Sequence, residues 1–534
     1  MTRQARKPGG RWLGPTLCLT LGMFAFDTSS LEAQPVKQLL HNEDETDFFW
    51  NVAIPEGKAG EVIDRYVDVM ADAGVTLFLC NTNARRTNYR SRVWESYWDG
   101  YDPAGPDDQP FLAPTARSDV PGFRKGIDNM LAVHKQGVDY PRRVVQRCRR
   151  HGISPWITLR MNDCHYNDIP DHPFHGNFWK KNPQLRRKGC TGYFATCLDY
   201  AAPEVRDYFK ALVAESLDRY DIDGLELDFM REPYLFSAGK EAEGAPILTG
   251  WMREVRKLTT DATAKRGHPV RLGVRVPSRP EVASAMGLDA LTWAKEGLIG
   301  LLVVTPRWAT LEFDMPIRQW RQMLGASKVT LAGGLEVRYQ PCPGGPASVV
   351  TPELARGAAV SVLSQGADAI YLFNFFQSNL WSRPVYQNTL KAMASLDCLL
   401  KLPRSVGITY RDITAPGERY RAPLPATGKE VELSMRLGPI PDNRWPCELL
   451  IGVATPQDAA APAPTLSVNR KPCEVRSDVT KDGLRLVSFG VPAMALAGAE
   501  SHQIKLVSKD QKALTIRRVE MSLREPSGAG GRAP

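Results

Sequence analysis

Asp221-Ile-Asp-Gly-Leu-Glu-Leu-Asp-Phe-Met-Arg-Glu-Pro-Tyr234 is the stretch from which fold and chemistry are read together. Leu225, Leu227 and Phe229 alternate with Glu226 and Asp228, so on a strand the two acids share one face and the apolar side chains the other. If the strand belongs to a closed barrel, one of those faces is the interior. A carboxylate taken out of water costs several kcal/mol unless it is paired or hydrogen-bonded, so two acids on an inner face need partners. Arg160 and Arg275, on neighbouring apolar runs, are the expected partners. Two readings of Glu226 stay open: a buried ion-pair ring that holds the barrel, or part of a site. Asp228 is nearer the C-terminal end of the strand, where barrel enzymes place their chemistry.

Working outward, eight short apolar runs alternate with helical patterns. The runs are Phe48–Ile54, Val75–Cys80, Ser154–Arg160, Gly224–Phe229, Val270–Val276, Leu298–Val304, Val329–Glu336 and Asp368–Phe373. Between them lie patterns such as Ala59–Ala73, Pro203–Tyr220 and Pro352–Gln365, several opened by proline at the first helical position. Eight such units predict an α/β fold, a (β/α)8 TIM barrel over Gln34–Leu402. A doubly wound dinucleotide fold is disfavoured because no G-x-G-x-x-G follows the first run. After Leu402 the periodicity changes to alternating short strands, which predicts a β-sandwich over Pro403–Arg524. Glu525–Pro534 is rich in Gly, Pro and Ala and cannot bury a core.

The chain has 534 residues, 43% hydrophobic and 24% charged, which excludes wholesale disorder and a multi-span membrane protein. Its charge of +9 is scattered without a basic run, so no nucleic-acid partner is expected. Met1–Ala33 reads as an export signal. Four basic residues precede the uncharged, mostly apolar stretch Leu13–Phe26, which is too short to span a bilayer as a helix. No stable membrane insertion is expected once it is removed, and the compartment is secreted or periplasmic. Nine cysteines remain after cleavage, and Cys190 with Cys197 and Cys447 with Cys473 are the pairs to test first in an oxidising compartment.

Leu198-Asp-Tyr-Ala-Ala-Pro-Glu-Val-Arg-Asp-Tyr208, followed by Asp223-Gly-Leu-Glu-Leu-Asp-Phe229, resembles the glycosyl-hydrolase-like barrel families of exported bacterial proteins. The resemblance covers most of Phe48 to Leu396 and implies a carbohydrate substrate. The fourth run is also similar to the acidic strand of chitinase-type enzymes, but Met230 stands where they carry their acid, so their substrate-assisted mechanism does not transfer. A glycosidase needs two carboxyl groups flanking the scissile bond. Glu336, after Gly333-Gly334-Leu335 at the end of the seventh run, is the natural partner of Asp228. The resemblance to the retaining barrel clan implies a nucleophile at Glu336 and an acid at Asp228. That clan has Asn-Glu where this chain has Leu227-Asp228, so Glu232 is an alternative acid.

The remaining candidates frame a sugar site. Arg160, Asn162, Asp163 and His165 follow the third run, and Arg231, Arg275 and Asn374 lie at other run ends, where they suit hydrogen bonds to hydroxyls. His165 also suits proton transfer. Trp50, Trp308 and Tyr339 are placed to stack on pyranose faces. No cofactor is expected. A metal held by His165, His172 and His175 is the minor alternative, weakened by the lack of a His-x-x-x-His helix. A catalytically inert glycan-binding barrel is the main rival, because fold does not guarantee chemistry.

The export reading predicts a mature chain beginning near Gln34. N-terminal sequencing of the exported protein checks it, and an intact Met1 terminus in the cytosol would overturn it.

Overall fold

A computed structural model describes residues 38–376, 380–440, 445–454, 462–497 and 500–525. The export segment and all but the first residue of the Gly/Pro-rich tail lie outside them, as does most of the expected loop Thr455–Thr465. Eight parallel strands close into a barrel: β1 (Gln38–Glu43), β2 (Leu77–Asn81), β3 (Ser154–Arg160), β4 (Gly224–Asp228), β5 (Arg271–Pro277), β6 (Leu301–Thr305), β7 (Thr330–Glu336) and β8 (Ala369–Phe373). β8 closes the ring by pairing with both β7 and β1. Helices connect successive strands, as parallel pairing demands.

One strand differs from the expectation. Phe48–Ile54 is not the first strand, since Glu45–Asn51 is a helix and the ring is closed instead by Gln38–Glu43. The run Phe48-Phe49-Trp50 is continuous because a short helix packs those rings on Tyr66 and Tyr140 and on the helix Val120–Lys135. The true strand was masked by its polar residues. Leu40 and Asn42 point into the barrel, and Asn42 serves a polar interior there, donating to Thr158, Glu226 and Tyr371.

The barrel interior is graded. Toward the N-terminal ends, Leu40, Leu77, Trp156 and Leu301 form an apolar plug. Gly224 and Gly273 make room for the Trp156 indole, since a Cβ at either would fall within 2.3 and 2.9 Å of it. Toward the C-terminal ends the inward positions become Asn42, Thr158, Arg160, Glu226, Asp228, Arg275 and Glu336, all buried.

The rest of the chain forms a nine-stranded antiparallel sheet: β9 (Arg404–Gly407), β10 (Ala426–Gly428), β11 (Glu430–Arg436), β12 (Cys447–Ala454), β13 (Thr465–Val468), β14 (Lys471–Lys481), β15 (Leu484–Val491), β16 (Ser501–Val507) and β17 (Leu514–Leu523). The order is β9-β17-β12-β15-β14-β13-β16-β11, with β10 beside β17. Alternate residues such as Val431, Leu449, Phe489 and Ile504 are buried, so the sheet folds over a shared apolar layer as a β-sandwich. Barrel and sandwich belong to one compact unit. Among the described residues, no helix is long and apolar enough to cross a membrane.

The nine described cysteines are free thiols. Cys190 donates to the Lys188 carbonyl, whereas Cys197 is buried, donates to the Asn162 carbonyl and lies against Cys164. Spacing in sequence did not find that neighbour, which the fold brings from the loop after β3.

The seam between barrel and sandwich is close-packed. Gly357, in the helix Pro352–Leu363, lies so near β9 that a Cβ would come within 1.9 Å of the Ser405 carbonyl oxygen. Gly407 similarly abuts the Tyr339 ring. Gly357→Ala is therefore expected to lower stability by about 1–3 kcal/mol through overpacking. A chain ending at Leu402 is expected to aggregate while the full chain stays monodisperse. Calorimetry and size-exclusion chromatography check both, and a cooperatively folding truncated barrel would show that the sandwich is dispensable.

Candidate functional site

The central group is carried by β4, β5 and β7. Arg275 Nη1 donates to Asp228 Oδ2 at 3.1 Å, and Asp228 Oδ1 accepts from the Met230 amide at 2.9 Å. Adjacent parallel strands make this pair local, because Asp228 and Arg275 are in register. The guanidinium extends across the mouth and lies 3.9 Å from the centre of the Phe373 ring on β8. Phe373 is in register with Glu336, so Arg275 reaches toward both ends of the expected carboxyl pair. Glu336 is buried and its Oε1 has no hydrogen-bond partner. Burial holds its carboxyl well above the usual range and outweighs the charges of Arg275 and Arg231.

Glu226 sits one layer deeper. Its Oε2 accepts from Thr158 Oγ1 at 2.6 Å, Tyr371 Oη at 3.0 Å and Asn42 Nδ2 at 3.2 Å. Burial, then the nearby Asp228 charge, push its carboxyl up to about 7. It forms no ion pair with Arg160 or Arg275, the partners expected from sequence. Arg275 is paired with Asp228, and Arg160 is held between Asp44 at 2.5 Å and Asp163 at 3.1 Å.

The end of β3 builds a second polar group. Burial favours a neutral Asp163, but His165, with Arg160 and Arg231, holds its carboxyl well below the usual range. Asp163 Oδ1 lies 2.7 Å from His165 Nδ1, and His165 Nε2 lies 3.4 Å from Arg231 Nη2. The buried aspartate thus orients a partly exposed imidazole. Asn162 is a tether: Nδ2 donates to the Leu198 and Tyr234 carbonyls, and Oδ1 accepts from the Leu198 amide.

Beside this group opens a pocket of about 200 Å³, walled by Trp50, Tyr97, Phe123, Tyr166 and Phe174 and edged by Asp44, Asp119, Arg160 and His165. Gly126 sets the position of Trp50, since a Cβ there would fall 2.6 Å from the indole. Of the residues expected from sequence, Trp50, Arg160 and His165 therefore line one cavity. Asp44, Tyr97, Asp119, Phe123, Tyr166 and Phe174 were missed. Asp44 directly follows β1, so placing that strand correctly would have identified it as a residue of the C-terminal face.

Other candidates lie elsewhere. Glu232 is fully buried in a two-pronged ion pair with Arg307. Trp308 is 46% exposed with Arg338 over its ring. Tyr339 is enclosed at the seam, near Gly407 and Arg518. Asn374 follows β8 with φ 59°, a left-handed conformation that asparagine tolerates, and its Oδ1 is buried without a partner. His172 stacks on Tyr166 and bonds Thr115, while His175 stacks on Trp179 and bonds the Tyr166 carbonyl. Among the described residues, no three His, Cys, Asp or Glu side chains converge as a metal-ligand group.

A strap from the sandwich side is bonded to the loops that follow β4 and β6. Thr409 donates to the Leu311 carbonyl, Asp412 accepts from the amides of Arg307, Trp308 and Ala309, and the Thr414 carbonyl accepts from Tyr234 Oη. Arg231, 5.7 Å from the Phe373 ring centre, lies between the pocket and the carboxyl pair. Asp228 and Glu336 are each 1% exposed.

No protein-family model and no curated protein matches the chain. Among solved structures, α-L-fucosidase isoenzyme 2 from Paenibacillus thiaminolyticus is 14% identical with a TM-score of 0.38, covering 70% of this chain and 51% of its own. The chain thus spans about half the length of that fucosidase. The glycoside hydrolase domain of PgaB (BpsB) from Bordetella bronchiseptica is 11% identical, TM-score 0.39, covering 68% of this chain and 99% of its own. An α-amylase from Geobacillus thermoleovorans is 10% identical, TM-score 0.37, covering 88% and 98%. At these identities the likeness concerns the barrel, which the strand order already establishes.

Glu226 generates a pH prediction. Its pKa is raised on folding, so the stability its neutral form contributes is complete below about 4.5, the ordinary glutamate value, and is lost as pH rises to about 7. The Tm of the native chain relative to Glu226→Gln is expected to fall across that window and to run parallel above it. Thermal unfolding at a series of pH values measures this, and a difference that does not change with pH would assign Glu226 an ordinary carboxyl.

Proposed function

We propose that the protein is an exported glycoside hydrolase whose carboxyl pair is Asp228 and Glu336, acting on a poly- or oligosaccharide. The observation that carries this reading is the contrast between the two carboxyls at the barrel mouth. Glu336 Oε1 is buried without a hydrogen-bond partner and burial raises its carboxyl, whereas Asp228 is ion-paired with Arg275. Two carboxyls whose environments are pushed apart suit the roles of acid and nucleophile or base. In this mechanism Glu336 gives its proton to the departing glycosidic oxygen. Asp228 attacks the anomeric carbon or draws a proton from the attacking water. Arg275, beside both, compensates the negative charge that Glu336 acquires as its proton leaves. This order reverses the roles implied by the resemblance to the retaining clan, and the reason is electrostatic: burial raises the β7 carboxyl, whereas the β4 carboxyl is ion-paired. Trp50 offers the apolar face against which a sugar ring stacks, and the leader-like N-terminus supports export.

The alternative is a glycan-binding barrel without turnover. It is favoured by one observation, that Asp228 and Glu336 are each 1% exposed and line no part of the aromatic pocket.

Assay of the mature protein on a panel of glycans separates the two. The glycosidase reading expects turnover, and expects Asp228→Asn and Glu336→Gln each to lower kcat by about 100-fold or more with folding and sugar affinity retained. Full activity in Glu336→Gln removes the β7 carboxyl from the mechanism. Glycan binding by the native chain without hydrolysis of any glycan establishes the binding reading.

A further inference from the structure

We infer that the aromatic pocket at the ends of β1 and β3 binds a sugar ring bearing a protonated amine, so that the glycan recognised contains free hexosamine units. The inference rests on the carbohydrate reading above and names the sugar.

The walls come first. Five aromatic rings, Trp50, Tyr97, Phe123, Tyr166 and Phe174, enclose a space of about 200 Å³, the scale of one sugar ring. Aromatic walls suit any pyranose, and a π-face also attracts a cation; of these rings Trp50 and Tyr166 are half-buried, with Tyr166 stacked on His172, while Tyr97, Phe123 and Phe174 are buried. The charge around the pocket then discriminates. Arg160 is its only guanidinium, and it is held between Asp44 and Asp163. His165 is engaged by Asp163 on one nitrogen and lies near Arg231 on the other, and Arg231 stands over Phe373. Two carboxylates, Asp44 and Asp119, and one guanidinium, Arg160, line the pocket.

Asp119 is the decisive group. It lines the pocket from an exposed position, and its side chain accepts from the Ser118 hydroxyl at 3.0 Å. It precedes the helix Val120–Lys135, yet its side chain does not cap the helix amides. Its charge is thus available to a ligand. The field it makes with Asp163 is felt at Tyr166, whose phenol is raised first by burial and then by those two carboxylates. An aromatic box with a free carboxylate at its rim recognises an ammonium group, and the size and stacking surface of the box select one carried on a sugar ring.

The test uses the full mature chain and isothermal titration at about pH 6, where the amine of a hexosamine is protonated. Three probes are titrated: the glucosamine trimer, the N-acetylglucosamine trimer and choline. The expected result is at least about tenfold tighter binding of the glucosamine trimer than of either other probe. Asp119→Asn, which keeps the volume and leaves an equally good helix-capping residue, is expected to remove most of that preference with Tm unchanged. Equal affinity for the two trimers overturns the inference, and so does choline binding as tightly as the glucosamine trimer. A preference that survives Asp119→Asn also overturns it. Hydrolysis of neutral glycans without a glucosamine preference defeats this inference and leaves the glycosidase reading standing. Tight glucosamine-trimer binding without turnover of any glycan does the reverse.

Discussion

Arg275 and Asp228 meet at 3.1 Å inside the barrel, where neither has appreciable contact with water. A buried guanidinium or carboxylate left alone is strongly destabilising, so the pair constrains everything packed around it. Asp228 must be in register with Arg275, which ties β4 to β5. Phe373 must present its ring to the guanidinium, which ties β5 to β8 across the mouth. Glu226 forms no ion pair with Arg275, and three neutral donors from β1, β3 and β8 satisfy its Oε2 instead, while burial raises its carboxyl. The polar half of the barrel core is thus one network, and the apolar half beneath it, plugged by Trp156, keeps that network dry.

Closure of the mouth follows from the same constraint. Charged groups held at low dielectric need water excluded from above as well as below. The sandwich contributes to this exclusion by sending residues 408–414 back over the loops that follow β4, β6 and β7. The Asp412 carboxylate accepts from three successive main-chain amides there, so one side chain fastens the strap to the loop after β6. The close approach of β9 to the helix carrying Gly357 anchors the strap at its root. The second domain is therefore coupled to the barrel interior electrostatically, since the Glu336 carboxyl feels the Asp412 charge.

The aromatic pocket lies to one side of this sealed centre, above β1 and β3, and Arg160 is common to both. It is in register with Asp228 on β4 and is the guanidinium that edges the pocket. Arg231 provides a second link, between His165 in the pocket wall and the Phe373 ring beside Glu336. The aromatic recess and the buried carboxyl pair thus share Arg160 and Arg231 as neighbours.

Seven of the eight barrel strands, the change to β structure near Leu402 and the inward acids of β4 were legible in the sequence, because each rests on local periodicity. Side chains alternate along any strand, so Glu226 and Asp228 had to share a face whatever surrounded them. β1 was not legible, because its inward Asn42 and its flanking His41 and Glu43 break the apolar pattern that marks a strand. Their burial depends on partners far along the chain. The pairing of charges was decided in the same way. Sequence placed Arg160 and Arg275 near two acids, but only the fold assigned Arg275 to Asp228, gave Arg160 to Asp44 and Asp163, and left Glu226 with neutral donors. The same holds for Glu232, which reads as a solvated loop acid beside Arg231 until Arg307, 75 residues away, is brought against it. What periodicity dictates is settled residue by residue, whereas solvation and pairing of charge depend on which side chains the closed barrel brings within a few ångströms of one another.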